Sequence, residues 1–336
     1  MTASAQLPRV LAVDDDEACL LLLERTLSTD GFQVTCATSG EEAVSAAQFQ
    51  APDVILLDIL MKGIDGFQTC RRLKADTQTA DIPVIFLTGE QRSEENLACA
   101  VGAGGCDYIT KPFSRVEVLF RARNVIRRQQ QRALLQKLGT CDPVTGLPER
   151  GYLRARIDEE LVGAAHYDSE LSVIMAGIDQ LPQIAGEQGP EAADRAIQRL
   201  SLLLQLEACH HDVAGRWDPE RLVLLLPRVR SEAATAAASR MCRIWRRAQI
   251  PYADSTLRST ATFSVSTHSP EDASTTVGAL LRDAELALRL ASGAGGDRVV
   301  CAGERPSYGE SSLPAWEGID LAESCNPSET RAAAGP

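Results

Sequence analysis

No apolar run in this 336-residue sequence approaches the roughly 18 consecutive residues of a membrane span. Residues 1–10 lack the charged start and long apolar stretch of a secretory signal. Together these absences exclude a membrane protein and predict a cytoplasmic one. Basic charge is also short, with 34 Lys and Arg against 46 Asp and Glu and a formal net charge of -12. Such a chain is a poor match to a phosphate backbone, so nucleic acid is not an expected partner. Cys-x-x-Cys pairs are missing as well. The ten cysteines are scattered from Cys19 to Cys325, which predicts buried, reduced thiols rather than a disulfide framework. Of the four histidines only His210 and His211 are close. Adjacent side chains diverge on a helix or a strand, so no zinc site is expected.

What is present is globular composition, 44% hydrophobic and 24% charged, over a length that suits about two domains. The first 125 or so residues alternate short apolar strands with amphipathic helical patterns, as a doubly wound α/β domain requires. Strands are predicted at 10–13, 33–37, 54–57, 84–87 and 107–109, and helical patterns at 19–27 and from about residue 41. Residues 116–138 hold a helical pattern without Pro or Gly, rich in arginine. Leu119, Ile126 and Ala133 recur there every seven residues. That linker, taken as 116–141, is either a weak coiled coil that would pair two chains or a solvated spacer with one apolar stripe.

A second α/β unit is predicted at 142–302. Strands are expected at 171–177, 213–217, 221–226, 260–266 and 298–301, and helices at 152–162, 191–209, 232–248 and 277–291. A hairpin within an otherwise alternating order calls for a mixed sheet. Residues 303–336 turn to Ser, Pro, Gly, Glu and Ala with little periodicity, the composition of a disordered tail.

Chemistry-bearing residues fall at or just beyond four predicted strand ends: Asp14 and Asp15, Asp58, Thr88, and Lys111. Open parallel sheets place their sites at that edge. Clustered carboxylates repel, so they persist mainly where a divalent cation neutralises them, and oxygen ligands without Cys or His favour Mg²⁺. A metal beside a lysine, a hydroxyl and a carboxylate suits phosphoryl transfer to that carboxylate.

The stretches Val13-Asp14-Asp15, Pro52-Asp53-Val54-Ile55-Leu56-Leu57-Asp58, Gly63-Ile64-Asp65-Gly66, Ile82-Pro83-Val84-Ile85-Phe86-Leu87-Thr88 and Asp107-Tyr108-Ile109-Thr110-Lys111-Pro112 resemble the receiver domain of two-component response regulators, across residues 9–127. The resemblance implies a flavodoxin-like receiver domain over 1–127 with Asp58 as phosphoacceptor and a sensor histidine kinase as donor. It implies Mg²⁺ held by Asp14, Asp15, Asp58 and the Leu60 carbonyl. Thr88 and Lys111 would bind phosphoryl oxygens, and Tyr108 would be the aromatic switch. Lys62 stands where the family usually has proline.

The stretch Asp142-Pro143-Val144-Thr145-Gly146-Leu147-Pro148-Glu149-Arg150, with Arg216-Trp217, Ser264-Val265-Ser266 and Asp283-Ala284-Glu285-Leu286-Ala287-Leu288, resembles the GGDEF domain of diguanylate cyclases. That family joins two GTP molecules using two metals. Several of its positions are altered here. The glycine-rich hairpin falls on Asp218, Pro219 and Glu220, where Pro219 removes an N–H and only Glu220 keeps a metal carboxylate. The other metal aspartate falls at Gly177. Asp179, two strand steps away, is displaced by roughly 6.6 Å. The nucleotide-contacting asparagine falls at Ala185, and the phosphate-binding lysine and arginine at Ser292 and Gly296. Asp194 keeps the guanine-contacting position. The product-inhibition motif has lost its arginine at Cys209 and kept Asp212. Lost charged hydrogen bonds, about 1.5–3 kcal/mol each, would weaken triphosphate binding by orders of magnitude.

The sequence thus leads to the expectation of a phosphorylated response regulator that is not an enzyme. Its degenerate GGDEF domain would signal by contacting a protein effector or another GGDEF- or EAL-type protein, with a homodimer open to the linker. The alternatives are a phosphorylation-activated diguanylate cyclase making cyclic di-GMP and a GTP sensor without turnover.

Overall fold

A computed structural model describes residues 7–89, 93–137, 139–209, 211–253, 255–270 and 275–302. The expectations for residues 1–6, Leu138, His210, Cys325 and the 303–336 tail fall outside the described residues.

The N-terminal half runs β1 (Arg9–Val13), α1 (Glu17–Thr29), β2 (Gln33–Ala37), α2 (Gly40–Gln50), β3 (Val54–Asp58), α3 (Gly66–Ala75), β4 (Val84–Thr88), α4 (Glu94–Ala103), β5 (Asp107–Thr110) and α5 (Arg115–Lys137). Its five strands form a parallel sheet in the order β2-β1-β3-β4-β5. The central strands are apolar throughout because helices cover both faces. Val10, Ala12, Val54 and Leu56 pack with α1 and α5, whereas Leu11, Val13, Ile55 and Leu57 pack toward the opposite layer. Helix starts follow side-chain capping: Asp16 accepts from the Ala18 N–H at 2.9 Å, Asp65 from Gln68 at 2.6 Å and Ser93 from Asn96 at 3.1 Å.

The C-terminal half runs α6 (Arg150–Tyr167), β6 (Leu171–Ile178), α7 (Leu181–Gln188), α8 (Pro190–Glu207), β7 (Val213–Arg216), β8 (Arg221–Pro227), α9 (Ser231–Arg247), β9 (Ile250–Tyr252), β10 (Ser255–Leu257), β11 (Ala261–His268), α10 (Val277–Gly293) and β12 (Val299–Cys301). The mixed sheet has the order β12-β11-β6-β8-β7. Only the β11–β12 pair is parallel; β11–β6, β6–β8 and β7–β8 are antiparallel. The fold is α/β overall, a flavodoxin-like parallel sheet followed by a mixed-sheet domain.

One apolar cluster runs through both halves, joining Leu97, Ala100 and Val101 of α4 to Leu200 and Leu203 of α8, Trp245 of α9 and Ile250 of β9. Helix α5 is continuous over 23 residues. Of its heptad residues, Leu119 and Ile126 are buried in the N-terminal core beside α1, and only Ala133 is exposed. The cysteine expectation holds in part. Cys70 and Cys242 are buried, Cys99 and Cys209 are exposed, and the nine described cysteines are free thiols. Among the described residues no helix is long and apolar enough to cross a membrane.

Candidate functional site

The ends of β1, β3 and β4 and the residue after β5 bring Asp14, Asp58, Thr88 and Lys111 to the carboxyl edge of the parallel sheet. Asp14, Asp58 and Thr88 are buried, and Asp15 is exposed. One carboxylate oxygen from each of Asp14, Asp15 and Asp58 lies within 4.8 Å of the others. The Lys111 ammonium stands 2.6 Å from Asp14 Oδ2 and 2.7 Å from Asp58 Oδ1. Burial raises the Asp58 carboxyl above its ordinary range, Asp14 and Asp15 add to that rise, and Lys111 opposes it. Burial alone would lower Lys111, but its hydrogen bonds to Asp14 and Asp58 outweigh it and raise the ammonium. Three clustered oxygen donors without nitrogen or sulfur fit a hard divalent cation such as Mg²⁺.

The loop after Asp58 is held close to the sheet. Gly66 donates to the Ile59 carbonyl at 2.9 Å, and a Cβ on Gly66 would stand 2.1 Å from the Asp58 carbonyl oxygen. Leu60, whose carbonyl is the expected fourth oxygen, lies in this loop. Lys62 uses the N–H that a proline would lack: it donates to Asp15 Oδ2 at 3.3 Å. Tyr108 is nearly buried, with the Arg121 guanidinium 5.5 Å from its ring. Tyr108 and Thr88 line one small recess with Leu97 and Ala100 of α4.

In the C-terminal domain the expected nucleotide positions are dispersed or engaged elsewhere. Gly177 pairs with Arg221 across the sheet, and a Cβ there would meet only Leu288 Cδ2 at 3.5 Å and the Glu220 carbonyl at 3.9 Å. Both Asp179 oxygens are already engaged. Oδ2 accepts from the Thr260 hydroxyl at 2.7 Å and the Asp297 N–H at 2.8 Å, and Oδ1 from the Thr262 hydroxyl at 2.7 Å. Asp179 therefore ties β6 to β11 and to the turn before β12. Gly296, at φ +67°, has that carboxylate where its own side chain would begin, 2.4 Å from a built Cβ.

Asp218 caps the β7–β8 hairpin, accepting from the Glu220 and Arg221 N–H groups at 2.9 Å each. Arg221 pairs with Asp218 and, at 2.6 Å, with Glu285. Burial would raise the Glu285 carboxyl, but Arg221 and Arg289 hold it below its ordinary range. Arg216 braces the same turn through the Asp218 carbonyl at 3.1 Å, the Pro219 carbonyl at 2.6 Å and Asp142 at 3.0 Å. Glu220, Asp194 and Ser292 are exposed, and Ala185 is half-buried on α7.

Where the inhibition motif was expected, the Cys209 N–H donates to Asp212 at 2.6 Å. Burial pushes the Asp212 carboxyl up, against the nearby charge of Arg128. Arg128 comes from α5 and caps the end of α8 through the carbonyls of Gln205, Ala208 and Cys209, at 3.1, 3.0 and 3.3 Å. Sequence reasoning gave no hint of it, since its partners lie about eighty residues away.

Comparison with known proteins accords with this geometry. Residues 10–123 match the family model of the response regulator receiver domain, and residues 140–298 that of the diguanylate cyclase, GGDEF domain. The chain therefore carries an N-terminal response regulator receiver domain and a C-terminal GGDEF domain. Its curated relatives include the DNA-binding dual master transcriptional regulator RpaA of Synechocystis, 37% identical over 147 residues, 43% of this chain and 61% of that protein. Response regulator MprA of Mycobacterium leprae is 36% identical over 149 residues, 43% of this chain and 64% of that protein. This chain thus spans 61% and 64% of those relatives' lengths. Among solved structures, diguanylate cyclase SiaD of Pseudomonas aeruginosa, in complex with its activator SiaC, is 27% identical, with TM-score 0.46 and coverage of 56% of this chain and 73% of that one. Chemotaxis protein CheY4 of Vibrio cholerae is 29% identical, with TM-score 0.34 and coverage of 35% and 98%.

The family match corrects one expectation. The sequence reading held that the chain is not an enzyme, whereas residues 140–298 fall within the diguanylate cyclase family.

Proposed function

We propose that Asp58 accepts a phosphoryl group from a sensor histidine kinase, with Mg²⁺ held by Asp14, Asp15, Asp58 and the Leu60 carbonyl, and that the GGDEF domain carries the output. The observation that supports this most is the Lys111 ammonium between two buried carboxylates, 2.7 Å from Asp58 Oδ1. When bound, Mg²⁺ supplies charge neutralisation to the incoming phosphoryl group. An Asp58 carboxylate oxygen attacks phosphorus, the bond to the donor breaks, and the donor leaves with its electron pair. Lys111 then exchanges part of its contact with Asp58 for a phosphoryl oxygen, and the Thr88 hydroxyl donates to another. Output through the GGDEF domain runs by contact with a protein effector or a second GGDEF- or EAL-type protein.

A second reading, that phosphorylation switches on cyclic di-GMP synthesis from GTP, is favoured by Glu220 standing exposed beside the capped hairpin. Two assays test these readings. With acetyl phosphate and Mg²⁺, a phosphate-affinity gel should show one retarded band that Asp58→Asn lacks; retardation surviving that substitution removes the first reading. Incubation with GTP and Mg²⁺ or Mn²⁺, followed by chromatography, tests the second, which requires a cyclic di-GMP peak lost in Glu220→Ala.

A further inference from the structure

The seam between the two domains combines features that pull in opposite directions. At its rim Glu94, in the first turn of α4, meets two arginines of α9: Arg243 Nε lies 2.6 Å from Glu94 Oε1, and Arg247 bonds Oε2. The arginines are four residues apart, on one helix face. Both are about half exposed, at 50% and 49%, so water and salt can replace these pairs readily.

Behind the rim the backbones come close. A Cβ on Gly102 would stand 2.3 Å from the Gln249 carbonyl oxygen. At the end of α4, Gly104 takes φ +98°, and its missing side chain leaves room for Arg199 of α8, whose Nη1 would lie 2.0 Å from a Cβ. Arg199 is 6% exposed, and among the described residues nothing accepts a hydrogen bond from its Nε. The charges around it are of the wrong sign. Burial, then the charge of Arg195, brings Arg199 down to about 10, and Cys70 only partly opposes them. The other nearby cation, Lys74, is turned to the Ala80 and Ile82 carbonyls at 2.7 and 2.6 Å.

A buried cation without an anion loses its hydration and regains it only when the surface that covers it moves away. We propose that the receiver–GGDEF contact is a releasable latch: Glu94 closes it through Arg243 and Arg247, while the enclosed Arg199 opposes closure. The apolar surface of α4, α8 and α9 keeps the closed form populated, and Arg199 keeps it from being permanent. Opening uncovers α4 beside Tyr108 and the arginine face of α9. The latch follows from the seam alone and does not depend on phosphorylation of Asp58.

Hydrogen exchange on the full-length, unphosphorylated protein tests it. Arg199→Met retains much of the apolar stem without the charge; amide exchange in α4, α8 and α9 should slow at least tenfold. Glu94→Lys should speed exchange in the same helices at least tenfold and enlarge the radius of gyration in solution scattering. Strands β1, β3 and β6 should keep their parental protection in both variants. Faster exchange in Arg199→Met would show that Arg199 supports the closed form, unchanged exchange that it does not act on closure, and loss of protection in the strands that it supports the fold instead; each would overturn the proposal. Unchanged exchange in Glu94→Lys would also overturn it.

Discussion

Lys111 Nζ lies 2.7 Å from Asp58 Oδ1, so the expected phosphoacceptor is already paired with the cation that would receive its phosphoryl oxygens. Asp14 holds the same ammonium at 2.6 Å. The pocket therefore balances part of its negative charge internally and leaves the rest for a metal.

Replacing Lys111 with alanine should slow phosphorylation from acetyl phosphate about tenfold to a hundredfold, the equivalent of one charge-assisted hydrogen bond of about 1.5–3 kcal/mol. Single-turnover phosphorylation kinetics check this. A rate within twofold of the parent would show that the lysine acts on Asp14 alone.

Magnesium should raise the unfolding free energy of the unphosphorylated protein. At a hundredfold excess over Kd the gain is about 2.7 kcal/mol. Thermal melts with Mg²⁺ and with EDTA measure it. The gain should largely vanish in Asp15→Asn, because the amide withdraws charge from the metal-facing cluster.

Gly66→Ala should destabilise the receiver domain by about 2 kcal/mol or more, since its Cβ would press on the Asp58 carbonyl at 2.1 Å. Denaturant titration reads this, and the phosphorylation rate should fall with it because the loop carrying Leu60 must move.

Gly177→Asp meets no such obstacle, with its nearest neighbour 3.5 Å away. It returns a carboxylate to the strand that faces the hairpin. Metal-dependent GTP turnover should be higher in this variant than in the parent, and Glu220→Ala introduced alongside it should abolish the increase. Equal turnover in parent and variant counts against the alignment of Gly177 with the metal position.

Arg243 and Arg247 hold the Glu94 carboxyl below its ordinary value. A carboxyl lowered in the folded form stabilises it above the ordinary value and loses that contribution as pH falls through the lowered one. The domain seam should accordingly loosen as pH falls below about 4.5, visible as lower amide protection factors in α4 before the parallel sheet unfolds. Glu94→Gln should remove this pH dependence.

Much of the receiver half was legible because its strands are short apolar runs ending in chemical side chains. The residues at 14, 58, 88 and 111 meet as a parallel sheet requires. Helix α4 was harder to read. Its sequence Glu-Glu-Asn-Leu-Ala-Cys-Ala-Val-Gly-Ala is small and apolar on several sides because it packs against its own sheet and against α8 and α9, which erases a polar face. The heptad of Leu119 and Ile126 was visible, but periodicity shows an apolar stripe without showing what covers it, and both residues lie in the N-terminal core. Asp179 was judged too far from the metal position on spacing alone; its three hydrogen-bond partners come from the start of β11, the residue before it and the turn before β12, beyond the reach of a linear reading.

Peptide mapping after borohydride reduction is the most direct test of the central claim, because it marks the aspartyl phosphate at its own residue. Protein treated with acetyl phosphate and Mg²⁺ should carry the reduced residue at position 58 and at no other aspartate. A label at Asp14 or Asp15, or an unlabelled Asp58 in protein that has gained phosphate, would contradict the account.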